Sequence, residues 1–154
     1  MKVTDLMVRD VVTCRDASGL DEVVKLFWEK NIGFLPVLSA ETGRLCGVVT
    51  DRDAAIAAYF VGKPLSQIRV RQAMSSRIVT VRPEAVVDEA EELMIEHQVH
   101  RLPVVTPEGK LAGVISLSDI AQRAVSDEDA ELEEEVALTL GAVSRQRETA
   151  GIAG

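Results

Sequence analysis

Gly47-Val48-Val49-Thr50-Asp51-Arg52-Asp53 and Gly113-Val114-Ile115-Ser116-Leu117-Ser118-Asp119 follow one pattern: glycine, two β-branched residues, a hydroxyl residue, two spacers and an aspartate. The β-branched pair suits a strand. A hydroxyl with an acid three residues later is a variant of the capping box that opens a helix. Each stretch therefore reads as a buried strand running into a helix start, where free N–H groups and the positive dipole end favour anions. One copy alone is explained by capping. Two copies raise the question of a ligand.

Working outward, the whole surrounding sequence repeats. A shift of 67 positions aligns Met7 with Met74, Val12-Thr13 with Val79-Thr80, Asp21-Glu22 with Asp88-Glu89, and Leu35-Pro36-Val37 with Leu102-Pro103-Val104. One extra residue near Thr42 reduces the shift to 66, and Gly43, Leu45, Gly47, Val48 and Asp53 then meet Gly109, Leu111, Gly113, Val114 and Asp119. Each copy opens with a short lead-in, Val3 to Met7 or Val70 to Met74, then a brief strand at Val12-Thr13 or Val79-Thr80. Leu20, Val23, Val24 and Phe27 at i, i+3, i+4, i+7 predict a helix over about 20–31, with a counterpart over 87–98.

The next strand runs Phe34 to Leu38, or Arg101 to Val105, and its proline predicts an edge strand or a strand start. A turn carrying Gly43 or Gly109 closes a hairpin with Leu45–Val49 or Leu111–Ile115, and a last helix starts near Asp51 or Leu117. The unit is β-α-β-β-α. One copy leaves apolar surface bare, and two copies packed sheet to sheet with pseudo-two-fold symmetry bury it. The fold class is α/β, in the α+β sense. Residues 1–60 form the first repeat, 61–69 a linker with Gly62 and Pro64, 70–126 the second repeat, and 127–154 an acidic tail, partly helical or disordered.

The bulk composition narrows the functions. Hydrophobic content of 47% and charged content of 27% are ordinary for a globular chain, and no apolar run reaches a membrane span. With no signal-peptide stretch, the expected location is cytoplasmic. The net charge of −8 is concentrated: residues 127–154 hold eight acids against two bases. The rest is nearly neutral, aromatics are only 3%, and neither nucleic acid nor membrane is an expected partner. Cys14 and Cys46 form no CxxC pair and read as small buried thiols. His97 and His100 are three apart but flank a helix end, a weak metal signal. Trp28 and Tyr59 read as rim or interface residues. No Ser-His-Asp, Cys-His or Glu-His set points to catalysis, so no enzyme is expected.

In combination, the Asp-Leu-Met lead-in, Val-Val-Thr, Leu-Pro-Val and Gly-Val-Val-Thr-Asp-Arg-Asp resemble the cystathionine β-synthase (CBS) domain, here as a stand-alone tandem pair, or Bateman module. The resemblance covers residues 1 to about 126. It implies a cytoplasmic regulatory or energy-sensing homodimer that binds adenosine-containing ligands in two clefts between the repeats. AMP, ADP or ATP are the expected ligands, with NAD or S-adenosylmethionine as further candidates, and no obligatory cofactor. Val99-His100-Arg101-Leu102 with Gly113 to Asp119 is also locally similar to the nucleotide-binding repeats of the AMP-activated protein kinase regulatory subunit.

The first implied cleft centres on Asp119, whose carboxylate suits a ribose diol. Ser116 and Ser118 at the helix start meet phosphate, Arg101 supplies charge and a forked donor set, and His100 adds a donor. By resemblance, Thr13, Ser18, Ile32 and Gly33 contact the base, with Val114 beneath it. The mirror cleft uses Asp53 on the ribose, Thr50 and Arg52 near phosphate, and Thr80, Ala85 and Val99 around the base. Gly33 and Phe34 stand there where the first cleft has His100 and Arg101. The two clefts are therefore expected to be unequal, with the Asp119 cleft favoured for a monophosphate. The alternatives are a ligand-independent dimeric scaffold that docks a partner protein through the acidic tail, and an accessory metal or redox protein using Cys14, Cys46, His97 and His100.

Overall fold

The computed structural model describes residues 1–145. The first repeat carries β1 (Cys14–Arg15), α2 (Leu20–Lys30), β2 (Phe34–Leu38), β3 (Leu45–Thr50) and α3 (Asp51–Val61), preceded by the single-turn helix α1 (Val3–Leu6). A 3₁₀ turn at Leu65–Gln67 leads to the matching single turn α4 (Val70–Ala73). The second repeat follows with α5 (Val87–His97), β4 (Arg101–Val105), β5 (Leu111–Ser116) and α6 (Leu117–Asp127), and then α7 (Ala130–Val143). The architecture is mixed α/β, as the repeat predicts. None of the described helices is long and apolar enough to cross a membrane.

Helix ends fall where local chemistry puts them. Asn31 and Gln98 end α2 and α5 in the left-handed region, at φ 51° and 52°. Gly43 and Gly109 take φ +69° and +81° in the two hairpin turns, as the turns require. The expected strand at Val12-Thr13 lies two residues later, at Cys14–Arg15, and its counterpart is a single parallel bridge between Val81 and Val104.

The proline expectation needs correcting. β2 is the central strand of the order β1-β2-β3, yet it contains Pro36. Its partner β1 pairs only beyond the proline, Cys14 with Val37 and Arg15 with Leu38. In the second repeat the same pairing begins at the proline carbonyl, where the Val81 N–H donates to Pro103 O at 3.1 Å. The missing proline N–H therefore falls where the neighbouring chain has not yet begun to pair, and no ladder bond is lost.

The lead-ins cross over. The Val3 and Thr4 N–H groups donate to Ala85 O and Pro83 O at 2.9 Å, and Val8 and Val114 exchange bonds at 2.9 and 3.0 Å. In mirror fashion Leu20 N–H donates to Ile68 O at 2.8 Å and Val70 N–H to Ser18 O at 2.9 Å, while Val48 and Ser75 exchange bonds at 3.0 and 2.8 Å. Burial follows the same exchange. Val3 and Met7 join the core of Val81, Val87, Met94, Leu102, Ile115 and Ile120. Ile68 and Val70 join that of Leu20, Val23, Leu35, Val37 and Val49. Each core is completed by the chain segment that precedes the other repeat.

That crossing explains the glycine of the repeated motif. A Cβ on Gly113 would lie 2.5 Å from the Val8 carbonyl oxygen, and one on Gly47 would lie 2.9 Å from that of Ser75. Both obstacles are backbone, which cannot turn aside as a side chain can.

Through residue 145 the acidic tail is largely helical, with Leu138 and Leu140 exposed on its outer side. Its helix α7 buries Val136, Thr139 and Val143 against the second repeat. Thr139 Oγ1 donates to Glu91 Oε1 at 3.0 Å, at a position where Glu91 is only 5% exposed. Burial raises the Glu91 carboxyl above its ordinary range, and Glu135 and Asp88 push the same way. The stretch from Gly141 to Gly154 reads in sequence as small, polar and loose; Gly141 to Val143 instead complete α7, with Val143 buried, and residues 146–154 lie outside the described residues.

Two measurements check this packing. Gly113→Ala is expected to lower unfolding stability by about 1–3 kcal/mol, because the overpacked contact is backbone. Gly141→Ala in α7 meets no atom within 4 Å and should add about 0.5–1 kcal/mol. Denaturant titration of both variants reads the opposite signs. The raised Glu91 pKa means the native state holds its proton longer, so this group costs stability as pH rises through its unfolded and then its folded value. Glu91→Gln keeps the Thr139 bond and should raise the melting temperature at pH 7. That advantage should vanish below the ordinary carboxyl range; an advantage that persists at pH 3 would contradict the assignment.

Candidate functional site

Both strand-to-helix turns form full capping boxes. Asp53 N–H donates to Thr50 Oγ1 at 3.1 Å, and Thr50 N–H returns to Asp53 Oδ2 at 2.9 Å. At the second turn, Asp119 N–H donates to Ser116 Oγ at 3.2 Å, and Ser116 N–H to Asp119 Oδ2 at 2.8 Å. Ser116 Oγ also donates to Asp119 Oδ2 at 2.5 Å. In both boxes the described bonds engage only Oδ2. The fixed carboxylate keeps its second oxygen for another donor.

Each box opens into a cavity walled by both repeats. The Asp119 cavity has a volume of about 360 Å³. The crossing segment supplies Val8, Asp10, Val11 and Val12, the end of α2 supplies Asn31 to Phe34, and the second repeat supplies Arg101, Val114, Ser116 and Asp119. The Asp53 cavity is larger, about 550 Å³. Its wall comprises Ser75, Arg77, Ile78 and Val79 after α4, Gln98 to Arg101 and Pro103, and Gly33, Phe34, Val48 and Thr50 to Asp53. The two cavities share Gly33, Phe34 and Arg101.

Of the residues expected at the Asp119 cleft, Asp119, Ser116, Arg101, Val114, Ile32 and Gly33 line one cavity. At the other cleft Asp53, Thr50, Arg52 and Val99 do so. His100 lies in the wall of the Asp53 cavity instead, just ahead of β4. Ser118 is exposed on α6 and lines neither cavity. Thr13, Ser18, Thr80 and Ala85 also stand outside both walls. The carbonyls of Ser18 and Ala85 are occupied by the crossing lead-ins, through Val70 N–H and Val3 N–H. Val12 and Val79, one residue before the expected threonines, form the wall.

The two walls carry different charges. The Asp53 cleft loses no cation: Arg52, Arg77 and Arg101 line it with His100, against Asp51 and Asp53. The Asp119 cavity has Arg101 alone against Asp10 and Asp119. Asp10 and Arg77 were invisible as site residues because neither belongs to a repeated motif. The shift of 67 that pairs them was the available signal. Gly33 also has a structural reason: a Cβ there would sit 2.9 Å from Asp51 Oδ2.

The other candidates are quiet. Cys14 and Cys46 are free thiols, and burial, with Cys46 and Glu22 nearby, pushes Cys14 up to about 12. A thiol so rarely ionised is a poor nucleophile or metal ligand. Among the described residues no group of three or more His, Cys, Asp or Glu side chains is arranged to hold a metal. Trp28 and Tyr59 are 87% and 81% exposed, on α2 and α3.

Comparison with known proteins agrees with the geometry. The CBS domain family model matches residues 3–58 and 70–126. Protein YlbB of Bacillus subtilis is 36% identical over 120 residues, 78% of this chain and 80% of its own length. The CBS domain-containing protein YhcV of the same organism is 34% identical over 128 residues, 83% and 89% of the two chains. Among solved structures, CBSX2 in complex with AMP superposes with a TM-score of 0.72 at 26% identity, covering 82% of this chain and 98% of that one.

The caps give a control that needs no ligand. Thr50→Ala and Ser116→Ala should each cost about 1 kcal/mol of stability, measured by denaturant unfolding of the unliganded protein. A neutral result at either position would show that its box does not hold the helix start.

Proposed function

The chain belongs to the CBS domain family, with two CBS domains in tandem, and from that premise we propose that it is a non-catalytic regulatory module for an adenosine-containing ligand. The observation that carries this reading is the build of the cavities. Each sets a cap-fixed aspartate and an arginine on a wall drawn from both repeats. Volumes of about 360 and 550 Å³ fall within the roughly 300–1,000 Å³ of small-molecule sites. The free carboxylate oxygen suits a ribose diol, the arginines suit a phosphate, and the valines suit the faces of a base. The AMP complex of CBSX2, a similar protein, supports this ligand class.

Regulation follows from the same construction. A ligand touching both repeats favours the arrangement of the repeats that closes on it, and it can shift only an equilibrium to whose states it binds unequally. The scaffold alternative rests on the outer side of α7, which buries Val136 and Val143 on its own repeat and leaves Leu138 and Leu140 exposed.

A thermal-shift screen against AMP, ADP, ATP, NAD and S-adenosylmethionine tests the proposal. A ligand at 100 times its Kd stabilises by about 2.7 kcal/mol. For a chain of this length that is a rise of roughly 5–10 °C. No rise with any of the five at millimolar concentration would overturn the sensor reading.

A further inference from the structure

The two cavities are copies of one another, so the positions at which their walls differ report directly on what each can hold. Several matched positions are similar in kind, Val11 and Ile78, Val12 and Val79, Asn31 and Gln98, while Val8 is matched by the hydroxyl residue Ser75. One pair inverts its charge. Asp10 lies in the wall of the Asp119 cavity, and Arg77, 67 positions later, lies at the same place in the wall of the Asp53 cavity. Arg52 adds a second cation to the Asp53 wall where the other repeat has Ser118, which faces solvent. Arg101 serves both walls.

The balance is therefore opposite in the two sites. Three arginines with His100 face two carboxylates in the Asp53 cavity, and one of those carboxylates, Asp51, is turned to its own neighbour, accepting from Arg52 N–H at 2.8 Å. One arginine faces two carboxylates in the Asp119 cavity. No described ion pair neutralises any of these: the pairs present are Lys25 with Glu29, Glu96 with His97, and Arg123 with Asp127. A ligand entering either cavity meets the full imbalance of its wall.

We propose that the two cavities sort adenosine ligands by the charge at their 5′ end. The Asp53 cavity takes a phosphorylated nucleoside, whose oxygens match the forked donors of Arg52, Arg77 and Arg101. The Asp119 cavity takes a nucleoside whose 5′ group is neutral or cationic, which Asp10 attracts and which a phosphate at the same place would oppose. This rests on the reading of both cavities as adenosine sites. It adds that one chain can hold two ligands of different 5′ charge at once.

Isothermal titration of the full chain with AMP and with 5′-amino-5′-deoxyadenosine, a probe of opposite 5′ charge, decides the matter. Arg77 and Asp10 are both exposed and take no part in either core, so their variants should fold as the parent does. Arg77→Asp is expected to weaken AMP by roughly tenfold or more while the amino compound binds as before. Asp10→Arg is expected to weaken the amino compound and to raise AMP stoichiometry from one site to two. If adenosine itself binds but neither substitution separates the two probes, charge sorting is overturned and the adenosine reading stands. If AMP is lost on Asp119→Ala and is indifferent to Arg77→Asp, the sites are assigned the wrong way round. If no adenosine compound binds, the reading beneath this proposal falls and takes the proposal with it.

Discussion

The backbone crossing over Gly47 and Gly113 is the contact on which everything else depends. At each of these glycines the segment leading into one repeat runs across the strand of the other, close enough that a methyl group would strike its carbonyl. The crossing exchanges N–H and C=O bonds with Val48 and Val114, satisfying backbone groups that a short sheet edge would otherwise leave open. It also inserts Met7 and Met74 beside the glycines, so the two cores are joined through both segments. Any shift of one repeat against the other must therefore strain or remake these bonds, so the two halves are mechanically coupled.

The same crossing builds the cavities. The residues that follow each single-turn lead-in, Val8 to Val12 and Ser75 to Val79, become the far wall of a site whose near wall is the strand-to-helix turn. The turn itself does two tasks with one side chain. Oδ2 of the aspartate holds the helix start, and the remaining oxygen stays available to a ligand. A site residue whose geometry is set by a cap needs no separate support, which keeps it pre-organised at little cost.

Much of this is legible in the sequence alone. The repeat, the β-α-β-β-α order, the positive-φ hairpin glycines and the two aspartates all leave local marks, in periodicity, turn residues and capping pairs. Ile32 and Val99 followed from resemblance and do line the cavities. Ser18 and Ala85 followed the same route and do not, because their carbonyls are spent on the crossing segments. Pro36 stands in a central strand, against the edge-strand expectation, for a related reason. Whether a missing N–H matters depends on where the neighbouring strand begins, and that neighbour is only two residues long.

What the sequence determined by itself is the family of the fold and the identity of the capping carboxylates, since both are written in residues close together along the chain. Only the tertiary structure decided which lead-in completes which core, that α7 folds back on α5 through Thr139 and Glu91, and that Asp10 and Arg77 occupy equivalent walls. These are contacts between segments far apart in sequence. Their partners are chosen by the space left when two copies close on each other, and spacing along one copy carries no record of that choice.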